Sequence, residues 1–158
     1  MRTRINHNKE QIFCDFRRRW VRLTPEEWVR QQLLHRLVER HGFPASLIAV
    51  EVPFRLPSLQ GGDGGRLFRA DAVVYANLPS LQGEDGGRLF PLMIIECKAE
   101  TVPLSQKTLD QAVAYNRKLN VPYLLLHNGP QSVFVTLPNN GQSPLITNTI
   151  PAWNQLSL

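Results

Sequence analysis

The feature that most constrains the fold is a short apolar run that ends in two charges. Residues 92–95, Leu-Met-Ile-Ile, are followed directly by Glu96-Cys97-Lys98. Side chains alternate between the two faces of a strand, so Glu96 and Lys98 should share one face and Cys97 should point into packing on the other. Charges beside a core are costly unless they are paired or bound to a metal. The run therefore predicts a buried strand whose end carries a charged site.

A second acid, Asp71, stands at the start of another apolar stretch, Ala72-Val73-Val74-Tyr75. Two carboxylates on adjacent strands can hold Mg²⁺, a hard cation that prefers oxygen ligands and keeps water molecules for a substrate phosphate. Lys98, close to them, would position an attacking water or stabilise the transition state. The alternative is an exposed Glu–Lys pair, which the tripeptide alone would favour. The apolar run and Asp71 together favour the metal site.

Helix and strand signals follow one another in a pattern typical of a mixed sheet. Thr24 as N-cap, Pro25 at the first helical position and Glu27 as the capping-box acid predict a helix over residues 25–41. A second helix is predicted over residues 105–120. Strands are predicted over residues 46–56, 67–75, 89–98, 121–126 and 132–137, after a strand or hairpin in residues 11–23. The three consecutive strands suit an antiparallel meander and the second helix a crossover, so we expect an α/β fold with a mixed central sheet flanked by helices.

The length of 158 residues suits one domain. We expect a flexible N-terminus in residues 1–10, the domain in residues 11–137, and an irregular tail, rich in Asn, Pro and Ser, in residues 138–158. Residues 56–68 recur as residues 78–90 with one difference, Gly62 against Glu84. We interpret the copies as duplicated hairpin-loop insertions, because glycine-rich tips tolerate insertion. The alternative is a pair of loops that grip DNA through Arg66 and Arg88.

The net charge of +5 makes an anionic partner plausible, nucleic acid first. Arg17-Arg18-Arg19-Trp20-Val21-Arg22 suits phosphate contacts, although we favour a solvated strand face for it. Cys14 and Cys97 have no metal-type spacing and are interpreted as reduced, buried thiols. With no apolar signal core and no membrane-spanning run, we expect a soluble cytoplasmic protein. No G-x-S-x-G, H-E-x-x-H or Cys/His dyad supports acyl-transfer or zinc-peptidase chemistry.

Three motifs together resemble the PD-(D/E)XK nuclease superfamily. They are Arg69-Ala70-Asp71, Glu96-Cys97-Lys98, and Gln111-Ala112-Val113-Ala114-Tyr115 in the second predicted helix. The Q-x-x-x-Y element is typical of the RecB-like branch. Residues 23–31, 46–51 and 121–125 further resemble the N-terminal nuclease domain of type I restriction enzyme R subunits, so the resemblance covers roughly residues 13–137.

The resemblance implies a restriction-endonuclease-like core and Mg²⁺-dependent hydrolysis of DNA, with Mn²⁺ able to substitute. It implies that Asp71 and Glu96 are the metal ligands, that Lys98 is the catalytic lysine, and that Gln111 and Tyr115 line the site. It also implies DNA and other restriction-modification subunits as partners. R subunits carry a motor after the nuclease, and this sequence has no G-x-x-x-x-G-K-[ST] phosphate loop, so we expect a stand-alone domain. The alternatives are a non-catalytic module that binds nucleic acid or a partner, and a split R subunit that needs partners in trans.

The family often adds an acid from the first helix. Glu26 lies three residues before Val29 and seven before Leu33, so helical geometry favours it for the side that faces the sheet. Glu27 is expected at the edge of the helix, occupied by the capping box. The alternative for Glu26 is a solvated first-turn acid that the helix dipole favours.

Overall fold

The computed structural model describes residues 1–56, 65–79 and 87–157. Its elements in chain order are β1 (Thr3–Asn6), β2 (Lys9–Cys14), β3 (Arg19–Arg22), α1 (Pro25–His41), β4 (Ile48–Arg55), β5 (Leu67–Leu78), β6 (Arg88–Cys97), α2 (Gln106–Leu119), β7 (Tyr123–His127), β8 (Ser132–Thr136) and β9 (Leu145–Thr147). Single 3₁₀ turns occupy Ala45–Leu47 and Trp153–Gln155. Neither α1 nor α2, the helices of the described ranges, is long and apolar enough to cross a membrane.

The main sheet has six strands in the order β4-β5-β6-β7-β8-β9. Strands β4, β5 and β6 form an antiparallel meander, and β6 pairs with β7 in parallel. The parallel pair needs a crossover connection, which α2 provides. The predicted mixed sheet with flanking helices is therefore confirmed, together with its meander and its crossover.

Each face of the sheet has its own apolar cluster. The α1 side packs Val29, Leu33, Leu34 and Leu37 of the helix against alternate residues of β5, β6 and β7. The α2 side packs Ala112 and its partly buried neighbours against the intervening residues of the same strands. The ends of α1 agree with the predicted bounds, since Thr24 Oγ1 accepts the Glu27 backbone N–H at 3.0 Å and Gly42 follows the helix with a φ of 74°.

The N-terminal residues differ from the expectation of a flexible segment. Residues 1–10 contain β1 and the start of β2, and both join β3 in a separate three-stranded antiparallel sheet. The turn between β1 and β2 consists of His7 and Asn8, with φ values of 47° and 62°. Two consecutive left-handed residues favour a tight hairpin, and Asn is among the residues that tolerate this conformation.

The tail, which the sequence predicts to be irregular, contains one strand of three residues and one 3₁₀ turn. Strand β9 pairs with β8, Ile150 is buried, and the Trp153 ring lies 5.4 Å from that of Phe43 on the α1 side. These are long-range contacts of isolated apolar residues, which a composition rich in Asn, Pro and Ser conceals. The central parts of the duplicated segments, residues 57–64 and 80–86, lie outside the described residues, so their interpretation as loop insertions stays a prediction.

Candidate active site

The end of β6 has the alternation that the sequence predicts. Cys97 is 1% exposed and belongs to the cluster on the α1 side. Glu96 and Lys98 instead line a cleft of about 140 Å³ on the α2 side, together with Gln111 and Tyr115. Four of the predicted site residues thus meet in one cleft.

Helix α2 is fixed against the sheet in a way that presents Gln111 and Tyr115 to β6. Asn116, 1% exposed, donates a hydrogen bond to the Tyr123 carbonyl at 2.8 Å and ties the helix to β7. The Tyr115 ring stacks on that of Phe68, with centroids 4.8 Å apart. Gln111 lies one turn earlier on the same helix face. These contacts set one wall of the cleft.

Asp71 reaches the same strand end from β5, and each oxygen of its carboxylate already accepts a hydrogen bond. Its Oδ2 accepts the Cys97 backbone N–H at 2.7 Å, and its Oδ1 accepts a hydrogen bond from Arg30 Nη1 at 3.1 Å. Glu96 differs, because its Oε1 is buried and has no hydrogen-bond partner among the described residues. One acid is therefore held by the protein while the other retains a free buried acceptor.

The protonation of Glu96 follows from these surroundings. Burial, repulsion by Asp71 and a hydrogen bond shared with Asp71 raise the pKa of Glu96 to about 8, against the attraction of Lys98. Two carboxylates in one site favour retention of a proton when no cation neutralises them. Burial, with repulsion by Asp71, also raises the pKa of the Cys97 thiol, which keeps that side chain neutral in its packing position.

The donor set fits a cation that keeps much of its water. Asp71 and Glu96 supply neighbouring carboxylates, and the unpartnered Oε1 of Glu96 is the kind of oxygen that Mg²⁺ binds. Among the described residues there is no group of three or more His, Cys, Asp and Glu side chains arranged to hold a metal ion. Asp71 and Glu96 are the two carboxylates that could hold a cation here, and Mg²⁺ is commonly bound through one or two carboxylates.

A buried ionic network on the α1 side is a part of the site that the sequence reasoning missed. Arg30, 7% exposed, pairs with Glu27 and Asp71, and its Nη2 lies 3.8 Å from Glu51 Oε1. Glu27, 4% exposed, also accepts hydrogen bonds from Arg17 and from Gln31. Burial acts to lower the pKa of Arg30. The hydrogen bond to Glu27 and the negative charges of Glu27, Asp71 and Glu51 together outweigh burial, so the pKa is raised overall and the guanidinium stays charged.

The expected orientation of the first-helix acids is wrong. Glu26 is exposed, and Glu27 is the buried acid. Glu27 precedes Arg30, Gln31 and Leu34 by three, four and seven residues, so it lies on the buried stripe of α1. The capping box is only half formed, because Thr24 accepts the Glu27 N–H while the Glu27 side chain pairs with arginines. This i, i+3, i+4 spacing was the available signal for the network.

Strand β4 is distorted where it passes Asp71. Glu51 has a φ of 58°, which is uncommon for a residue other than glycine and occurs preferentially at functional sites. Val50 pairs with Ala72 and Val52 with Ala70, yet Glu51 and Asp71 between them form no ladder pair. Val50 packs on the α1 side and Val52 on the α2 side, so the strand reverses its facing at Glu51. The distortion turns the Glu51 carboxylate toward Arg17, at 3.3 Å.

Comparisons with known proteins agree with this geometry. A sequence profile for the family described as "Type I restriction enzyme R protein N terminus" matches residues 25–151. A solved structure, a fragment assigned to an HsdR subunit of a type I restriction enzyme from Vibrio vulnificus, has a similar fold, with a TM-score of 0.52 and 18% sequence identity. The similarity covers 85% of this chain and 24% of that chain, which is much longer. No curated protein matches the chain.

Proposed function

Because the chain belongs to the family of type I restriction enzyme R protein N-terminal domains, we propose that it is a metal-dependent nuclease domain that hydrolyses phosphodiester bonds in DNA. The observation that carries the proposal is the buried, unpartnered Oε1 of Glu96 beside the Asp71 carboxylate. Lys98, Gln111 and Tyr115 line the cleft into which Glu96 projects. This combination supports phosphoryl chemistry better than a structural ion pair, which would leave no acceptor free.

In the proposed mechanism Asp71 and Glu96 would hold Mg²⁺, for which Mn²⁺ would substitute. Bound there, the ion would activate a water molecule and offset charge on the scissile phosphate. The Lys98 ammonium, on the same strand face as Glu96, would stabilise the charge that develops on the phosphoryl oxygens. Gln111 would donate a hydrogen bond to the phosphate or the attacking water, and the Tyr115 hydroxyl would orient the sugar-phosphate backbone.

The test is cleavage of supercoiled plasmid, linear duplex and single-stranded DNA by the purified chain with Mg²⁺ or Mn²⁺. We expect the Lys98→Ala and Glu96→Ala variants to lose about 100-fold or more of the rate, in line with the loss of a transition-state contact. Lys118→Ala, which removes an exposed cation from the last turn of α2, is the matched control and should keep the rate. If no form of DNA is cut and calorimetry detects no metal binding, the proposal fails.

A second candidate is a binding module that keeps the fold without turnover. The observation that favours it is the engagement of both Asp71 oxygens, one by the Arg30 cation, which would compete with a metal ion. Salt-dependent DNA binding without cleavage, unchanged in Glu96→Ala, would support this candidate and exclude the first.

A third candidate is a split R subunit that acts only with partners. The chain spans 24% of the length of the HsdR fragment from Vibrio vulnificus, and in a split subunit the other functions would come from separate chains. Cleavage that appears only after addition of modification, specificity and motor subunits would support it.

A further inference from the structure

The N-terminal sheet presents one strongly basic face. Its register places Arg2, Arg4, Lys9, Gln11, Phe13, Trp20 and Arg22 on the same side, because Arg4 pairs with Gln11, Gln11 with Arg22, and Phe13 with Trp20. Within the three strands this face carries three cations and no carboxylate, and Arg2, immediately before β1, adds a fourth cation. The opposite face holds Ile12 and Cys14, both 0% exposed, and packs inward. We call the outward face the basic ribbon.

The cations of the basic ribbon are ordered by aromatic rings and remain open to solvent. The Arg2 guanidinium lies 4.0 Å from the Phe13 ring centroid, and that of Arg4 lies 4.2 Å from the Trp20 ring centroid. Stacking fixes the plane of a guanidinium while its N–H edges stay available to phosphate. Arg2 also approaches Asp15 at 3.5 Å, but both side chains are at least half exposed, so this pair is weak.

The edge of the basic ribbon borders the ionic network on the α1 side. Residues of β3, among them Arg19, Trp20 and Arg22, border a cleft of about 390 Å³ whose floor contains Glu27, Arg30 and Glu51. The floor acids are already paired with Arg17 and Arg30. Arg19, with a side chain 65% exposed, lies 4.0 Å from Glu51, and no ion pair involves Arg22 within the described ranges. Among the described residues Arg22 therefore stands at the rim without a carboxylate partner, while Arg30 on the floor contacts Asp71.

We propose that the basic ribbon binds the phosphate backbone of double-stranded DNA and so holds the substrate on the domain. The inference rests on the proposed function, since it takes DNA as the substrate. Lysine and arginine contacts to phosphates position a duplex without reading its sequence, and aromatic side chains among them add contact area. The positive charge of the basic ribbon and the exposure of its cations both fit this partner.

The experiment measures binding of a fluorescent duplex in EDTA, so that neither metal nor cleavage contributes, at several salt concentrations. Arg4→Gln and Arg22→Gln each remove one exposed cation of the ribbon. Each should reduce the slope of log Kobs against log salt by about 0.9, which corresponds to a loss of about fivefold near 0.15 M salt, and the double variant should lose about 25-fold. Arg40→Gln removes an equally exposed cation from the last turn of α1, outside the ribbon, and should bind as the parent does.

Two results would overturn the inference: ribbon variants that bind DNA as tightly as the parent, or an equal loss in Arg40→Gln, which would indicate only a net-charge effect. These failures are separable from failure of the nuclease proposal. If the ribbon variants lose binding while the parent cuts no DNA, the result supports DNA binding by the basic ribbon and contradicts the nuclease proposal. If the parent cleaves DNA with Mg²⁺ and the ribbon variants bind normally, the result supports the nuclease proposal and contradicts DNA binding by the basic ribbon.

Discussion

The two acids at the centre of the candidate site, Asp71 and Glu96, are the same chemical group on neighbouring strands in opposite surroundings. Asp71 has both oxygens engaged, by the Cys97 N–H and by Arg30. Glu96 faces the α2 cleft, with Oε1 buried and unpartnered. On the α1 side Glu27, which is buried, and Asp71, which is partly buried, each pair with an arginine, whereas on the α2 side the Lys98 ammonium opposes the charge of Glu96.

The difference separates a positioning region from a binding region. A buried polar group without a partner destabilises a protein unless a ligand completes it. On the α1 side the carboxylates of Glu27 and Asp71 are paired with arginines, so the network holds Asp71 and α1 in place, although Gln31 Oε1 is also buried there without a partner among the described residues. The α2 side is incomplete, which is expected where a cation and a phosphate are to bind. Substitutions on the α1 side should therefore affect mainly stability, and substitutions on the α2 side should affect mainly activity.

The largest expected effect on stability comes from the α1 side. Arg30→Met removes the cation shared by Glu27 and Asp71, so that Glu27 keeps only Arg17 as an arginine partner and Asp71 loses its cation. We expect the free energy of unfolding, measured in urea, to fall by about 3–5 kcal/mol. Arg40→Met, an exposed arginine of the same helix, should change it by less than about 0.5 kcal/mol. A loss below about 1 kcal/mol for Arg30→Met would contradict the assignment of a positioning network.

The next effect is a dependence of stability on pH that comes from the α2 side. The pKa of Glu96 rises from an ordinary value of 4.5 to about 8 in the folded, metal-free protein, where it faces Asp71 and Lys98. Between these values the folded state retains a proton that the unfolded state has lost. The proton on Glu96 therefore contributes on the order of a few kcal/mol to the free energy of unfolding. This contribution is fully present below about pH 4.5 and is lost as the pH rises through about 8.

Glu96→Gln tests this predicted loss of stability with rising pH, because the glutamine amide does not ionise in this range. Urea titrations in EDTA from pH 5 to 9 should show a falling free energy of unfolding for the parent and a flatter profile for the variant. Since metal and proton compete for the same carboxylate, the affinity of the parent for Mn²⁺ should strengthen as the pH approaches 8. A parent profile no steeper than that of Glu96→Gln would mean that Glu96 ionises normally and needs no cation.

A smaller effect on stability separates the two roles of Tyr115 in the cleft wall. Tyr115→Phe keeps the ring that stacks on Phe68 but removes the hydroxyl. We expect an unchanged free energy of unfolding and a cleavage rate lower by about tenfold, as for a lost contact worth about 1.4 kcal/mol in the transition state. Tyr115→Ala should also lose about 1 kcal/mol of stability with the stacked pair. Equal activity in the parent and Tyr115→Phe would restrict Tyr115 to packing.

The sequence predicted those parts of the fold that depend on local signals. The cap at Thr24 and the glycine at Gly42 mark the ends of α1, and the alternation at the end of β6 places Glu96 and Lys98 in the cleft. Strands β1 and β9 were not foreseen, because each is short and exposed and depends on pairing with a strand that has its own signal. Order of this kind is tertiary and has no local pattern.

The part of the site on the α2 side was predictable from the sequence, and the part on the α1 side was not. Glu96 and Lys98 are two residues apart on one strand, so their common face follows from geometry. Arg30 and Asp71 are 41 residues apart, and nothing near either residue indicates that they meet. The left-handed φ of Glu51 is likewise imposed by its surroundings, since Glu has no local preference for that conformation.

The smallest expected effect concerns the first-helix acids, of which Glu27, and not Glu26 as predicted, lies on the buried stripe of α1. Glu26 is exposed, so Glu26→Gln should change the free energy of unfolding by less than about 0.5 kcal/mol and leave cleavage unchanged. The matched substitution Glu27→Gln removes the charge that holds Arg17 and Arg30, and it should lower stability by about 1–3 kcal/mol. Loss of cleavage in Glu26→Gln at full stability would show that an exposed acid of α1 reaches the substrate. The division between a positioning region on the α1 side and a binding region on the α2 side would then have to be abandoned.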